Sequence, residues 1–168
     1  MLAQVRRSLG GERVGHGVQR YRPPAPHKPR DRGAPTTVSQ HREPVTAIGA
    51  PAAVGPYSHA VRAGGLLFCS GQIPLDPDTN ELVGATPGEQ ATRCLQNLQA
   101  VCAAAGASLG DAVRCTVYLT DLAGAFAEVN EAYGEFFASD PPARVAIGVV
   151  ALPKGAQLEI DAIVALAS

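Results

Sequence analysis

The stretch that decides the fold is PARVAIGVVALPKGAQLEIDAIV, from Pro142 to Val164. It contains two apolar runs of strand length on either side of a Leu-Pro-Lys-Gly turn. The pattern predicts two strands joined as a hairpin that closes the chain. Arg144 opens the first run, and Glu159 lies between two apolar residues in the second. An unpaired buried charge costs several kcal/mol, so these two side chains either pair structurally or face a cleft that binds a ligand.

The composition is that of one globular domain, with 168 residues of which 46% are hydrophobic and 17% are charged. No window has the length and continuous apolar character of a transmembrane helix, and no secretory signal is visible at the start. The cysteines form no C-x-x-C pair and have no histidine at metal-ligand spacing. We therefore expect buried free thiols, no metal site and a reducing, cytoplasmic location. These cysteines are Cys69, Cys94, Cys102 and Cys115.

Charge divides the chain near residue 43. Residues 1–43 carry nine basic and three acidic residues (9 − 3 = +6) among many prolines and glycines, whereas residues 44–168 carry five basic and twelve acidic residues (5 − 12 = −7). We expect residues 1–43 to be a disordered basic extension and residues 44–168 to form the domain. The extension is a flexible tail, a processed transit-like segment, or a non-native addition ahead of a start at Val45. The acidic domain, which has no basic stripe, speaks against nucleic-acid binding.

The first half of the domain reads as three strands and a helix. The predicted strands are residues 45–49, 57–63 and 66–71. Gly64-Gly65 provides a two-residue turn between the second and third strands. His59 is expected at the strand surface. Thr86-Pro87-Gly88-Glu89 is a capping box with proline at the first helical position, and it predicts a helix that ends at Gly106.

The second half reads as a strand, a helix and the two final strands. The strand covers residues 112–119, with Val113, Cys115, Val117 and Leu119 expected on one face. The helix covers residues 122–138 and carries an apolar stripe of Leu122, Phe126, Val129, Tyr133, Phe136 and Phe137. The order β-β-β-α-β-α-β-β predicts an α+β fold in which two helices cover one face of a mixed β-sheet. The other face is half apolar, which favours oligomerisation.

Several spaced motifs resemble those of the RidA (YjgF/YER057c/UK114) family over nearly all of residues 45–168. In chain order they are APAAVGPYS (50–58), CSGQIP (69–74), NL (97–98), VNEAYGEFF (129–137), PAR (142–144), LPKG (152–155) and LEI (158–160). The resemblance implies a chorismate-mutase-like fold, a homotrimer with ligand clefts between subunits, and no cofactor. It also implies hydrolysis of reactive 2-imino and 2-enamino acids, such as 2-aminoacrylate, 2-iminopropanoate and 2-iminobutanoate, to 2-keto acids and ammonia.

The resemblance also assigns roles to individual residues. Arg144 would grip the substrate carboxylate in a fixed plane, a task for which a guanidinium is well suited. Glu159 would orient or deprotonate the attacking water, or protonate the departing amine. Ala146 stands where the family often has cysteine, so thiol chemistry is not expected there. The expected substrate-binding positions are Tyr57, Ser70, Gly71, Asn130 and Ala146.

Other interpretations of the same residues remain open. Arg144 and Glu159 could form a structural ion pair at a subunit interface. The same cleft could hold a small keto acid or amino acid without catalysis, as a regulatory binding module, although carboxylate binding alone does not need a second carboxylate such as Glu159. An RNA-cleaving or translation-inhibiting role is the third alternative, and the acidic domain disfavours it.

Overall fold

The structure is a computed structural model that describes residues 42–167. The predicted order β-β-β-α-β-α-β-β and the α+β fold class are confirmed. The strands are β1 (Glu43–Val45), β2 (Ala60–Ala63), β3 (Leu66–Gln72), β4 (Ala112–Leu119), β5 (Ala143–Gly148) and β6 (Leu158–Ala165). The helices are α1 (Pro87–Ala104) and α2 (Leu122–Phe136).

The start of the domain differs in detail from the prediction. The extension predicted for residues 1–43 lies outside the described residues except for its last two. Strand β1 begins at Glu43, and the strand predicted over residues 45–49 is wrong beyond Val45. The reason is a turn after that residue, closed by the Ala50 N–H, which donates to the Ala47 carbonyl at 3.3 Å.

The six strands form one mixed sheet in the order β1-β2-β3-β6-β4-β5. Strands β4 and β5 are parallel, and every other neighbouring pair is antiparallel. The predicted terminal hairpin is therefore wrong, because β4 lies between β5 and β6. Parallel neighbours need a long crossover, and α2 provides it between β4 and β5. Residues 149–157 then carry the chain past the end of β4 before β6 begins.

Both helices lie on one face of the sheet. The inward residues of β6 are buried, while the alternate residues are partly exposed on the helix-free face, as the period of two predicts. The inward set is Leu158, Ile160, Ala162 and Val164. At the start of α1, Thr86 and Glu89 form the predicted capping box. Gly64 and Gly65 turn the β2-β3 hairpin with φ angles of +58° and +79°, a conformation that glycine adopts without a steric penalty.

Two of the predicted faces are partly wrong. Val113 is not inward, because the pairing of β4 with β6 shifts register between Ala112 and Arg114, and this bulge turns the valine outward with 46% exposure. In α2, the predicted apolar stripe is buried at Val129 and Tyr133 but open at its N-terminal end. Periodicity identified the helix face but could not show that small residues of β5, Ala146 and Gly148, lie opposite its N-terminal end and leave it uncovered.

His59 is also not at the surface, since only 8% of it is exposed. Its Nδ1 accepts a hydrogen bond from the Ala47 N–H at 3.1 Å, and its Nε2 lies 2.9 Å from the Pro51 carbonyl oxygen. This pair of contacts requires the neutral tautomer with the proton on Nε2. The imidazole therefore fastens the loop of residues 47–51 to the beginning of the β2 segment.

We expect His59→Phe to lower the free energy of unfolding by about 2 kcal/mol or more, because two buried backbone groups lose their partners. Denaturant unfolding measures this change. His59→Asn and His59→Gln are matched controls, because each retains one of the two hydrogen bonds and should lose about half as much. A His59→Phe protein as stable as the wild type would contradict this account of the loop.

Candidate functional site

Four of the predicted site residues surround one cavity of about 260 Å³ on the helix-free face of the sheet. Tyr57 comes from the loop before β2, Ser70 and Gly71 from the end of β3, and Glu159 from β6. The cavity walls are completed by three apolar residues that the sequence interpretation did not single out. They are Val54, Ile73 and Pro153. Pro153 belongs to the Leu-Pro-Lys-Gly motif, and that motif is the feature of the sequence that could have identified it as a site residue.

The position of the Glu159 side chain at this cavity depends on Gly71. A Cβ atom at that position would overlap the Glu159 carboxylate. The pairing of β3 with β6 is also irregular between Cys69 and Gln72, so the two intervening residues have no paired partner on β6. The Ser70 hydroxyl donates to the Ser58 carbonyl at 2.7 Å, so it holds the two chain segments together. Glycine thus lets the carboxylate lie directly against the β3 backbone.

Tyr57 forms the open side of the cavity. It is 45% exposed, and its hydroxyl accepts a hydrogen bond from the Val54 N–H at 3.3 Å. The hydroxyl hydrogen has no part in that bond and remains available to a ligand or to water. Tyr57 can therefore donate into the same space that Glu159 faces.

The environment of Glu159 raises the pKa of its carboxyl group. The larger cause is burial, and the smaller is the negative charge of Asp161, which follows it on the same face of β6. Asp161 itself accepts a hydrogen bond from the Tyr118 hydroxyl at 3.0 Å. A carboxyl group with a raised pKa retains its proton to higher pH than a free glutamate, which suits a group that must both give and take a proton.

Arg144 lies elsewhere, on the helix-facing side of β5. The carbon at the centre of its guanidinium is 4.6 Å from the centroid of the Tyr133 ring and 6.0 Å from that of Phe126, both on α2. These distances are within the range of cation–π attraction. The rings hold the guanidinium in place, yet the residue is exposed, so its N–H groups remain open to an anion.

The remaining two predicted residues lie on the Arg144 side of the molecule. Ala146 follows Arg144 by two positions and shares its face of β5. It borders a groove formed with the N-terminal half of α2. Asn130 is half buried and follows Phe126 by one helical turn, so the two residues are neighbours on the surface of α2. The structure therefore divides the seven predicted residues into a group of four and a group of three.

Arg144 and Glu159 cannot meet within one chain. Arg144 is paired with Cys115 of β4, and Glu159 with Tyr118 of the same strand. The two Cα atoms are therefore two strands and three residues apart, a separation of about 14 Å. Paired residues share a face, and since Cys115 and Tyr118 are an odd number of positions apart, their partners lie on opposite faces of the sheet.

The ion-pair interpretation is consequently excluded within the chain. Among residues 42–167, one ion pair is present, and it joins Arg62 to Glu43 at 3.5 Å. The two candidate charges are thus each available to a group from outside the chain.

None of the helices in the described part of the chain is long and apolar enough to cross a membrane.

Comparison with known proteins gives matches over nearly all of the described residues. The family model described as Endoribonuclease L-PSP (Ribonuc_L-PSP) matches residues 47–166. The RutC family protein y4sK of Sinorhizobium fredii is 52% identical over 124 residues, which are 74% of this chain and 98% of that protein. The human protein named 2-iminobutanoate/2-iminopropanoate deaminase is 41% identical over 122 residues, which are 73% of this chain and 88% of that protein.

Solved structures show the same fold. The crystal structure of RidA from an Antarctic Psychrobacter has a TM-score of 0.70 and 43% sequence identity, and the match covers 74% of this chain and 99% of that one. The crystal structure of the YjgF gene product from E. coli has a TM-score of 0.69 and 40% identity, with coverage of 73% and 98%.

Gly71→Ala should lower the pKa of Glu159 toward that of a free glutamate, because the added methyl group would displace the carboxylate from its partly buried position. Burial is the larger cause of the raised pKa, so its removal lowers the value. Carboxyl carbon NMR across a pH titration measures this. Gly134→Ala is the matched control, because a Cβ there meets no atom within 4 Å. It should leave the Glu159 pKa unchanged and stabilise α2 by about 0.5–1 kcal/mol. An unchanged pKa in Gly71→Ala would refute the proposed contact.

Proposed function

The chain belongs to the Ribonuc_L-PSP (YjgF/RidA) family, and we propose that it hydrolyses reactive 2-imino and 2-enamino acids to 2-keto acids and ammonia. The observation that carries the proposal is the position of Glu159, a half-buried carboxyl group with a raised pKa that faces a small cavity and lies against the backbone of Gly71. The human relative at 41% identity is named for this reaction with 2-iminobutanoate and 2-iminopropanoate.

The proposed chemistry needs one group that moves a proton. Water adds to the carbon of the C=N bond, and Glu159 accepts a proton from that water as the C–O bond forms. Glu159 passes this proton to the imine nitrogen, which gives a neutral carbinolamine. It then accepts the hydroxyl proton of the carbinolamine as the C=O bond forms and delivers it to the nitrogen as the C–N bond breaks, so that the nitrogen leaves as ammonia. The products are a 2-keto acid and ammonia, and Glu159 ends in its starting state. An imine is already electrophilic, so positioning of water and substrate supplies much of the acceleration, and no cofactor is proposed.

Arg144 is proposed to bind the substrate carboxylate. Its guanidinium presents a planar set of N–H donors that matches a carboxylate bidentately. The rings of Tyr133 and Phe126 restrict its movement, so less conformational freedom is lost when the anion binds. The bound carboxylate would fix the plane of the neighbouring C=N bond.

The complete site is proposed to lie between two subunits of a homotrimer. Since Arg144 and Glu159 lie on opposite faces of the sheet, a cleft that contains both must take one residue from each of two copies. Apolar side chains exposed on the helix-free face support such packing. Val145 and Ile147 of β5 are 39% and 41% exposed there, and Phe68 of β3 is also open. The trimer itself is inferred from the family.

Two other functions are tested against the same residues. A binding module that only holds a keto acid or amino acid would use Arg144 but gives no role to the raised pKa of Glu159. The family description names an endoribonuclease, yet residues 44–168 carry a net charge of 5 − 12 = −7, which opposes binding to a phosphate backbone.

We also propose a cytoplasmic location, consistent with four buried free thiols.

A coupled assay tests the reaction. Threonine or serine dehydratase generates the imine, and the release of keto acid is followed with and without this protein. Glu159→Gln should reduce the acceleration by about 10²–10⁴-fold because it removes the proton-transferring group. Arg144→Lys should retain more activity than Arg144→Ala, because lysine keeps the charge but not the planar geometry. Failure of the wild-type protein to accelerate release would reject the enzyme proposal, and full activity of Glu159→Gln would reject its role.

A mixing experiment tests the shared cleft. Arg144→Ala and Glu159→Gln proteins, each expected to have little activity alone, are unfolded together in equal amounts and refolded. Random assembly places an intact Arg144 opposite an intact Glu159 in about one quarter of the clefts, so about one quarter of the wild-type activity should return. The double variant mixed with wild type at the same ratio is the control for refolding yield. No recovery, with trimer mass confirmed by light scattering, would show that the two residues do not share a cleft across subunits.

A further inference from the structure

A shallow apolar groove lies next to Arg144 on the helix-facing side of the sheet. It has a volume of about 610 Å³ and is lined by Leu122, Ala123, Phe126 and Ala146, none of which has a polar side-chain atom. Leu122 and Phe126 are 37% and 43% exposed, although both belong to the apolar stripe of α2. Such an uncovered apolar surface next to an unpaired cation is suited to a ligand with an anionic end and an aliphatic end.

We propose that this groove holds the side chain of the 2-imino acid whose carboxylate is bound by Arg144. The proposal rests on the proposed function and adds to it a preference for substrates with longer aliphatic side chains. It assigns Leu122 and Phe126, which the sequence predicts only as members of the apolar stripe of α2, to substrate selection.

The distances between the groove and Arg144 fit a single small substrate. Arg144 and Ala146 are two positions apart on one face of β5, which is about 7 Å along the strand. Phe126 spans that interval, since its ring is 6.0 Å from the guanidinium carbon and also lines the groove. A leucine-type side chain extends about 5 Å from its carboxyl carbon to its terminal methyl groups. A carboxylate on Arg144 therefore leaves the side chain within reach of the groove.

The groove is open because small residues form its strand side. Ala146 and Gly148 both face α2 from β5, and a Cβ at Gly148 would lie 3.6 Å from the Leu122 Cβ. Larger side chains at these positions would fill the space between the strand and the helix. Large apolar residues on the helix and small ones on the strand thus create a surface for aliphatic groups, with no hydrogen-bonding side chain to favour a polar substrate.

The expected selectivity follows from burial of the added carbons. Each methylene transferred from water to an apolar surface is worth about a fourfold gain in binding. The groove is open on one side, so part of that gain is lost. We expect kcat/KM to be at least about tenfold higher for the imine of leucine than for the imine of alanine.

The test compares imines made in place by an L-amino acid oxidase from alanine, 2-aminobutyrate, norvaline and leucine. Semicarbazide traps whatever imine is not hydrolysed as a semicarbazone. The extent to which the protein lowers the yield of semicarbazone therefore gives the relative kcat/KM for each imine. Leu122→Ala and Leu122→Asn should reduce the leucine-to-alanine ratio at least threefold. Ile48→Ala is the matched control, because Ile48 is 97% exposed in the loop before β2 and should leave the ratio unchanged.

Binding of the keto-acid products provides a second measurement that does not need catalysis. Calorimetry with 4-methyl-2-oxopentanoate and pyruvate should show tighter binding of the longer acid by the wild-type protein. Leu122→Asn should remove most of that difference. Light scattering checks that the variant assembles as the wild type does.

The outcomes separate the inference from the proposed function. Acceleration of all imines with equal efficiency would overturn the side-chain subsite and leave the deaminase intact. No acceleration of any imine, together with no discrimination between the keto acids, would overturn both. If Leu122→Asn changes the assembly mass but not the ratio, the groove is covered by a second copy of the chain, and the subsite proposal is wrong.

Discussion

The position of β4 between β5 and β6 is the constraint on which the arrangement of the candidate site depends. Strands β4 and β5 are parallel, so α2 must cross over between them, and β6 occupies the other side of β4 as an antiparallel strand. Arg144 and Glu159 therefore both pair with residues of the same strand, β4. Their partners on that strand are an odd number of residues apart, and this parity places the two charges on opposite faces.

This separation explains the properties of each charge. Glu159 has burial and Asp161 near it but no basic side chain from the described chain, so its pKa rises. Arg144 lies across two aromatic rings with its donors open. A direct ion pair would have neutralised both groups and left neither for a ligand. Opposite faces keep both groups unpaired, and a cleft between copies is the arrangement proposed to bring them together.

Several features were predictable because local sequence dictates them. The capping box at Thr86, the Gly64-Gly65 turn and the alternation in β6 all follow from interactions within a few residues. The terminal hairpin was wrong because two adjacent apolar runs carry no information on whether another strand lies between them. Val113 was placed on the wrong face because a bulge is a property of the pairing between two strands, and His59 was misjudged because its partners lie in a distant loop.

The sequence by itself determined the element order, the α+β class and the set of residues that the family motifs single out. Those properties depend on local propensity, on the periods of helix and strand, and on motif spacing. Only the tertiary structure decided that Tyr57, Ser70, Gly71 and Glu159 form one cavity, and that Arg144, Ala146 and Asn130 lie on another side. Strand order and register are set by contacts between distant segments, and a shift of one residue reverses the face on which a side chain lies.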